Sequence, residues 1–140
     1  MALDDLIEFF EQLTPSSVAR FPEIYSADAW FKDPFNEVHG VAAIQRIFSH
    51  MFTQVGAPRF IVTGKVADAD GALLIWEFHC LIRVWGRERP QVMRGVSHLK
   101  FDNQGRVNYH RDYWDAAEEL YMKLPLVGTL MRGLRRLMAA

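Results

Sequence analysis

The chain has 140 residues, 50% of them hydrophobic and 24% charged, the composition of one globular domain rather than a disordered chain or two ordinary domains. Sixteen basic against seventeen acidic residues leave a formal charge of −1, so no net field draws in nucleic acid, and none is expected as a partner. The single cysteine, Cys80, excludes an internal disulfide and thiolate zinc sites, and no apolar run reaches the roughly 20 residues of a membrane span.

The acidic start Met1-Ala2-Leu3-Asp4-Asp5 does not read as a secretory signal, so a cytoplasmic protein is expected. Leu3, Leu6, Ile7, Phe10 and Leu13 recur at helical steps and predict a first helix. Thr14-Pro15 reads as the cap of a second helix carrying Val18, Phe21 and Tyr25 inward, broken at Pro22. Ala29 to Pro34 reads as a short extended segment, because proline keeps Asp33 out of the helical region. A third helix follows, burying Ile44, Ile47, Phe48, Met51 and Phe52 and ending at Gly56-Ala57-Pro58. Four strands at hairpin spacing then predict an antiparallel meander: Arg59 to Ala67, Ala72 to Trp85, Gln91 to Phe101 and Arg106 to Trp114. Asp68-Ala69-Asp70-Gly71, Gly86 to Pro90 and Asp102-Asn103-Gln104-Gly105 form their turns. Helices before such a sheet make an α+β domain, with the helices on one sheet face. Beyond Asp115 the pattern returns to helix, and Leu126, Leu130, Leu134 and Leu137 alternate with Arg132, Arg135 and Arg136.

Strand alternation sorts the polar groups by face. Trp76, Phe78, Cys80, Ile82 and Val84 share one face, and so do Met93, Gly95, Ser97, Leu99 and Phe101. In the last strand, however, the matching face holds His110, Asp112 and Trp114. Two ionisable groups aimed at an aromatic interior are costly unless they pair with each other or with a ligand. A register slip of one residue would turn both outward.

The motif Trp30-Phe31-Lys32-Asp33-Pro34, the Val38-His39-Gly40 loop and the ending Gly105-Arg106-Val107-Asn108-Tyr109-His110-Arg111-Asp112 resemble the nuclear transport factor 2-like superfamily, and within it the SnoaL-like proteins. The resemblance implies a cone-shaped fold over residues 1–118, with helices packed on a bent antiparallel sheet and 119–140 as a C-terminal helical extension. It also implies a pocket between helices and sheet, and often a homodimer through the outer sheet face. Members include cyclases, isomerases, hydrolases and non-catalytic binding modules, so the fold does not fix the function. Asp33 matches the general base of the ketosteroid isomerases. The two donors of their oxyanion hole, a tyrosine on the first helix and a protonated acid on the third long strand, are matched here by Phe9 or Phe10 and by Ser97, and losing one such donor costs about 10²–10³ in rate. Steroid isomerisation is therefore not expected. His110-Arg111-Asp112 matches the His-x-Asp pattern of the SnoaL-like cyclases. The resemblance thus implies Asp112 as acid–base group, His110 as its partner and Asp33 as an auxiliary group, acting on an apolar carbonyl or polyketide-like substrate.

The same residues admit plainer roles. His110 and Asp112 could form a structural pair, and Asp33 an ordinary turn aspartate. Trp30, Phe78, Cys80, Ser97, Leu99 and Trp114 are expected to line the pocket, Cys80 as a small hydrophobe. No cofactor is expected. The remaining histidines have no metal-ligand spacing, so no metal is expected either. The outer row Glu77, His79, Arg83, Arg94, His98 and Lys100 suits cross-strand charge pairing. The basic amphipathic tail is expected to cover the domain or a second copy rather than a membrane. An apolar-ligand carrier and a dimeric interaction module whose pocket is filled by side chains remain as alternatives to an enzyme.

Overall fold

The computed structural model describes residues 2–119 and 125–139. Helix α1 (Leu3–Glu11) buries Leu6 and Phe10. Its far end is pinned to the sheet, where Glu11 Oε2 accepts the backbone N–H of Val62 at 3.0 Å. Pro15–Glu23 winds as a 3-10 segment rather than an α-helix, with Pro22 inside it; proline there removes the amide that an α-helical turn would use. Tyr25, expected on that helix, instead opens strand β1 (Tyr25–Lys32). A short β2 (Glu37–His39) returns antiparallel to β1, and α2 (Val41–Gln54) follows with Ile44 and Phe48 fully inside.

Strands β3 (Gly56–Asp68), β4 (Gly71–Val84), β5 (Arg87–Phe101) and β6 (Val107–Tyr113) form the expected meander. The full sheet has six strands in the order β2-β1-β6-β5-β4-β3, and β1 joins β6 in parallel. That parallel pair departs from the all-antiparallel expectation, and it is what brings Phe31 beside His110. Pro90, expected in a turn, lies within β5 opposite Leu81. Trp85 and Gly86 make the turn alone, both at positive φ, as a two-residue hairpin requires. Proline is tolerated there because β6 pairs only with residues from Val96 to Phe101, which leaves the other edge of β5 open at Pro90.

One face of the sheet, with Leu74, Trp76, Phe78, Cys80, Met93 and Leu99, packs with α1, the 3-10 segment and α2 into a single core. The outer face carries exposed Leu73 and Ile75. Its charges pair differently from the cross-strand expectation: Glu77 bonds His79 two residues along its own strand, and Arg94 reaches Glu119. Glu119 ends α3 (Ala116–Glu119), and the expected continuation through Tyr121 lies outside the described residues. Helix α4 (Pro125–Met138) leaves Leu130, Leu134 and Leu137 exposed. No described helix is long and apolar enough to cross a membrane.

Candidate active site

The site follows from one irregularity in β6. Lys100 faces Tyr109 and Phe101 faces Val107, so Asn108 is an extra residue, a bulge. The bulge resets the alternation. Val107 is buried before it, and after it His110, Asp112 and Trp114 all point inward. The register then sets Asp112 directly opposite Ser97, and His110 opposite both Leu99 and Phe31.

These residues form one hydrogen-bonded chain. Trp76 Nε1–H donates to Ser97 Oγ at 2.9 Å, and Ser97 donates to Asp112 Oδ1 at 2.5 Å. His110 Nε2 lies 2.7 Å from the same Oδ1, and Tyr25 OH lies 2.7 Å from His110 Nδ1. His110 is only 4% exposed, with Phe31 edge-on at 4.8 Å and the Tyr25 ring stacked at 5.9 Å. Burial first, then the charge of Asp112, pushes the Tyr25 phenol well above its ordinary range, so it keeps its proton. A buried phenol needs an acceptor, and its one bonding partner among the described residues is His110 Nδ1. Every donor in the chain is then satisfied when His110 is neutral, with its hydrogen on Nε2 and directed at Asp112. Proton direction is thereby fixed from both ends toward a single oxygen, Oδ1. Asp112 Oδ2 has no protein partner among the described residues and is not sealed from solvent.

Asp112 borders three spaces. The largest, about 680 Å³, lies between α2 and the inner sheet face. Its walls are largely apolar, built from Phe31, Ile47, Phe48, Met51, Phe60, Trp76, Phe78, Met93 and Trp114. Beside Phe48, Phe60 and Trp76 is a chamber of about 30 Å³ lined also by Phe10, Leu74, Ser97, Leu99, His110 and Asp112. That is room for a water or two, since one needs about 10–15 Å³. A polar cleft of about 530 Å³ runs past Lys32, Asp33, Arg111 and Asp115 on the other side.

Most of the expected site residues meet here. Phe78 and Trp114 line the main cavity, while Ser97 and Leu99 line the inner chamber. Trp114 forms part of the wall, with Phe35 edge-on at 5.5 Å, and leaves the cavity open. Two lining expectations fail. Trp30 points to the outer face, where it stacks on its register partner Tyr109 at 4.8 Å, because alternation gives the inward position to Phe31. Cys80 is buried in the core and does not reach the cavity, although the longer side chains of Phe78 and Ile82 on the same face do. Asp33 lies at the cavity mouth, but Oδ1 accepts the amides of Phe35 at 2.8 Å and Asn36 at 2.6 Å, and Asn36 Nδ2 lies 3.2 Å from both its oxygens. Those bonds match a turn aspartate. Tyr25 and Phe31 are the residues that sequence reasoning left out. The run Tyr25, Ala29, Phe31 at even spacing was the available signal for a strand rather than a helix end.

A family profile for the SnoaL-like domain matches residues 6–110. The chain belongs to the SnoaL-like family. The match ends at His110, so Asp112 lies just beyond the SnoaL-like segment. Solved structures with this fold include a protein from Catenulispora acidiphila described as having a ketosteroid isomerase-like fold, in complex with trimethylamine. It is 12% identical, with a TM-score of 0.72 over 88% of this chain and 92% of that one. A candidate SnoaL-like polyketide cyclase from Shewanella putrefaciens is 18% identical, at TM-score 0.69 over 88% and 99% of the two chains. An LEH-like epoxide hydrolase from M. tuberculosis is 16% identical, at TM-score 0.65 over 96% and 90%. No curated protein matches in sequence. At these identities the structural likeness establishes the α+β nuclear transport factor 2-like fold of this SnoaL-like chain.

Proposed function

We propose that this protein binds an apolar carbonyl compound, polyketide-like in character, in the cavity under α2 and moves a proton on it, with Asp112 as the acid–base group. The observation that carries the proposal is the division of labour within one carboxylate. Oδ1 is anchored by Ser97 and His110, Oδ2 has no protein partner among the described residues, and Asp112 lines the cavity. Proton transfer needs a group whose position is fixed but whose reactive atom is free. Ser97 on β5, itself held by Trp76 on β4, anchors the carboxylate, and Tyr25 on β1 holds His110. When Oδ2 takes a proton, the neighbouring imidazole can reorganise its hydrogen bond to Oδ1. Asp33, occupied by its own turn, shapes the mouth instead of acting as a base.

The test is deuterium uptake next to the carbonyl of small cyclic ketones in D₂O, followed by proton NMR. Enolisation is the step shared by cyclase and isomerase chemistry. The protein should accelerate exchange and Asp112→Asn should abolish it, with the far-UV spectrum unchanged; an Asp112→Asn rate equal to wild type refutes the proposal. A second reading is a non-catalytic carrier. It is favoured by the fact that the Ser97 hydroxyl, at one of the two oxyanion positions, already donates its proton to Asp112. A ligand that survives purification and shows no exchange in D₂O would favour the carrier.

A further inference from the structure

The cavity is apolar along its length but not at its mouth. Its polar lining consists of Asp33, Asn36, Arg46, His50, Gln54 and Asp112. Asp112 is bound into the Ser97–His110 chain, and the carboxylate of Asp33 is taken by the turn amides and by Asn36. Arg46, by contrast, is exposed and its side chain has no hydrogen bond, ion pair or ring contact among the described residues. His50 follows it one turn later on α2, about 6 Å along the axis. It too is exposed, and its side chain has no partner among the described residues. The sequence of α2 contains no Asp or Glu at all, so neither side chain can find the i, i+4 acid that commonly pairs a helical arginine.

We infer that the ligand is amphipathic: its apolar body fills the cavity toward Asp112, and an anionic group, a carboxylate or its equivalent, stays at the mouth on Arg46 with His50 beside it. The inference rests on the cavity being a ligand site, as proposed above, and adds the chemical class of the ligand. A guanidinium left unpaired beside an apolar cavity gives nothing to a purely apolar guest. To a guest with an anionic end it gives a fixed polarity. The anion stays in the wet rim, where charge is cheap, and the uncharged reactive end is driven inward to Oδ2. A carboxylate entering the reverse way would approach Asp112, a like charge. Orientation therefore comes from one attraction and one repulsion, the two devices by which sites select.

The test uses a matched pair of probes, 2-naphthylacetate and 2-naphthylacetamide, which share an apolar body and differ in charge. Affinities are read from chemical-shift titrations of the ¹⁵N-labelled full chain at low salt. Wild type should bind the acetate about three- to tenfold more tightly, the size of one partly exposed charge-assisted contact. Arg46→Gln should bring the two probes within a factor of two and leave the acetamide affinity unchanged. Raising the salt should narrow the wild-type gap as well. Equal wild-type affinities, a preference that survives Arg46→Gln combined with His50→Gln, or no binding of either probe would each overturn the inference. Asp112→Asn serves as the control that separates it from the catalytic proposal. A preference kept in Asp112→Asn supports the anion site, and a wild type that shows the preference but no deuterium exchange refutes only the chemistry.

Discussion

Replacing Tyr25 by Phe removes one oxygen and leaves the ring, so it tests the hydrogen-bonded chain without opening a cavity. The lost group is the donor to His110 Nδ1, at 2.7 Å in a site where Tyr25 is 1% and His110 4% exposed. No water replaces it easily, and an unsatisfied buried acceptor costs about 1–3 kcal/mol. Taking about 2 kcal/mol, Tm should fall by roughly 5–10 °C for a domain of this size, with the urea m-value unchanged. The effect should depend on pH in a definite direction. The native phenol holds its proton well above the ordinary tyrosine range, while the unfolded chain releases it near pH ~10. Above that pH the unfolded state binds fewer protons than the native state, so wild-type stability falls as pH rises, by up to about 1.4 kcal/mol per unit from this one group. Tyr25→Phe lacks that slope, and the gap between variant and wild type should shrink between pH 10 and 11. Urea melts at pH 7, 10 and 11 measure it, and ¹⁵N shifts of His110 report whether its hydrogen leaves Nε2. A variant as stable as wild type at pH 7, with unchanged His110 shifts, would refute the assigned proton directions.

Two further predictions concern packing and assembly. A Cβ on Gly95 would collide with the six-membered ring of Trp76. Gly95→Ala should therefore displace the indole, break its bond to Ser97 and cost about 1–3 kcal/mol, seen as a lower Tm and a shifted tryptophan emission; an unchanged Tm would contradict the close packing of the indole over Gly95. Leu73 and Ile75 are 41% and 45% exposed on the outer sheet face, where we place a homodimer interface. Sedimentation equilibrium should show a dimer that Ile75→Lys converts to monomer, and a monomeric wild type at tens of micromolar would exclude that interface.

Much of this architecture was legible in the sequence because periodicity is a local property. The 3.6-residue rhythm of Leu3 to Leu13 and the alternation of Trp76 to Ile82 each report a face that a neighbour must cover. His110 and Asp112 stood out for the same reason, as polar groups in an apolar rhythm. What stayed hidden depended on partners distant in sequence. Tyr25 and His110 are 85 residues apart, and nothing near Tyr25 marks it as a hydrogen-bond donor to that ring. Trp30 and Phe31 are equally aromatic; the parallel pairing with β6 is what sets Phe31 against His110 and Trp30 against Tyr109. Whether Asp33 is a base or a turn residue depends on Asn36 and two backbone amides, which the Asp-Pro dipeptide alone does not reveal.

The extra residue at Asn108 gives the interior of this protein a phase. Upstream, Val107 is tied to Ile24 by a backbone hydrogen bond of 2.8 Å, and downstream the strand is locked to β5. Were Asn108 taken into the regular ladder instead of bulging, Tyr109, Arg111 and Tyr113 would replace His110, Asp112 and Trp114 on the inner face. The sheet could persist while its chemistry was rewritten in one step. Two quite different interiors thus lie one step of register apart, a short distance for a fold with so many occupations.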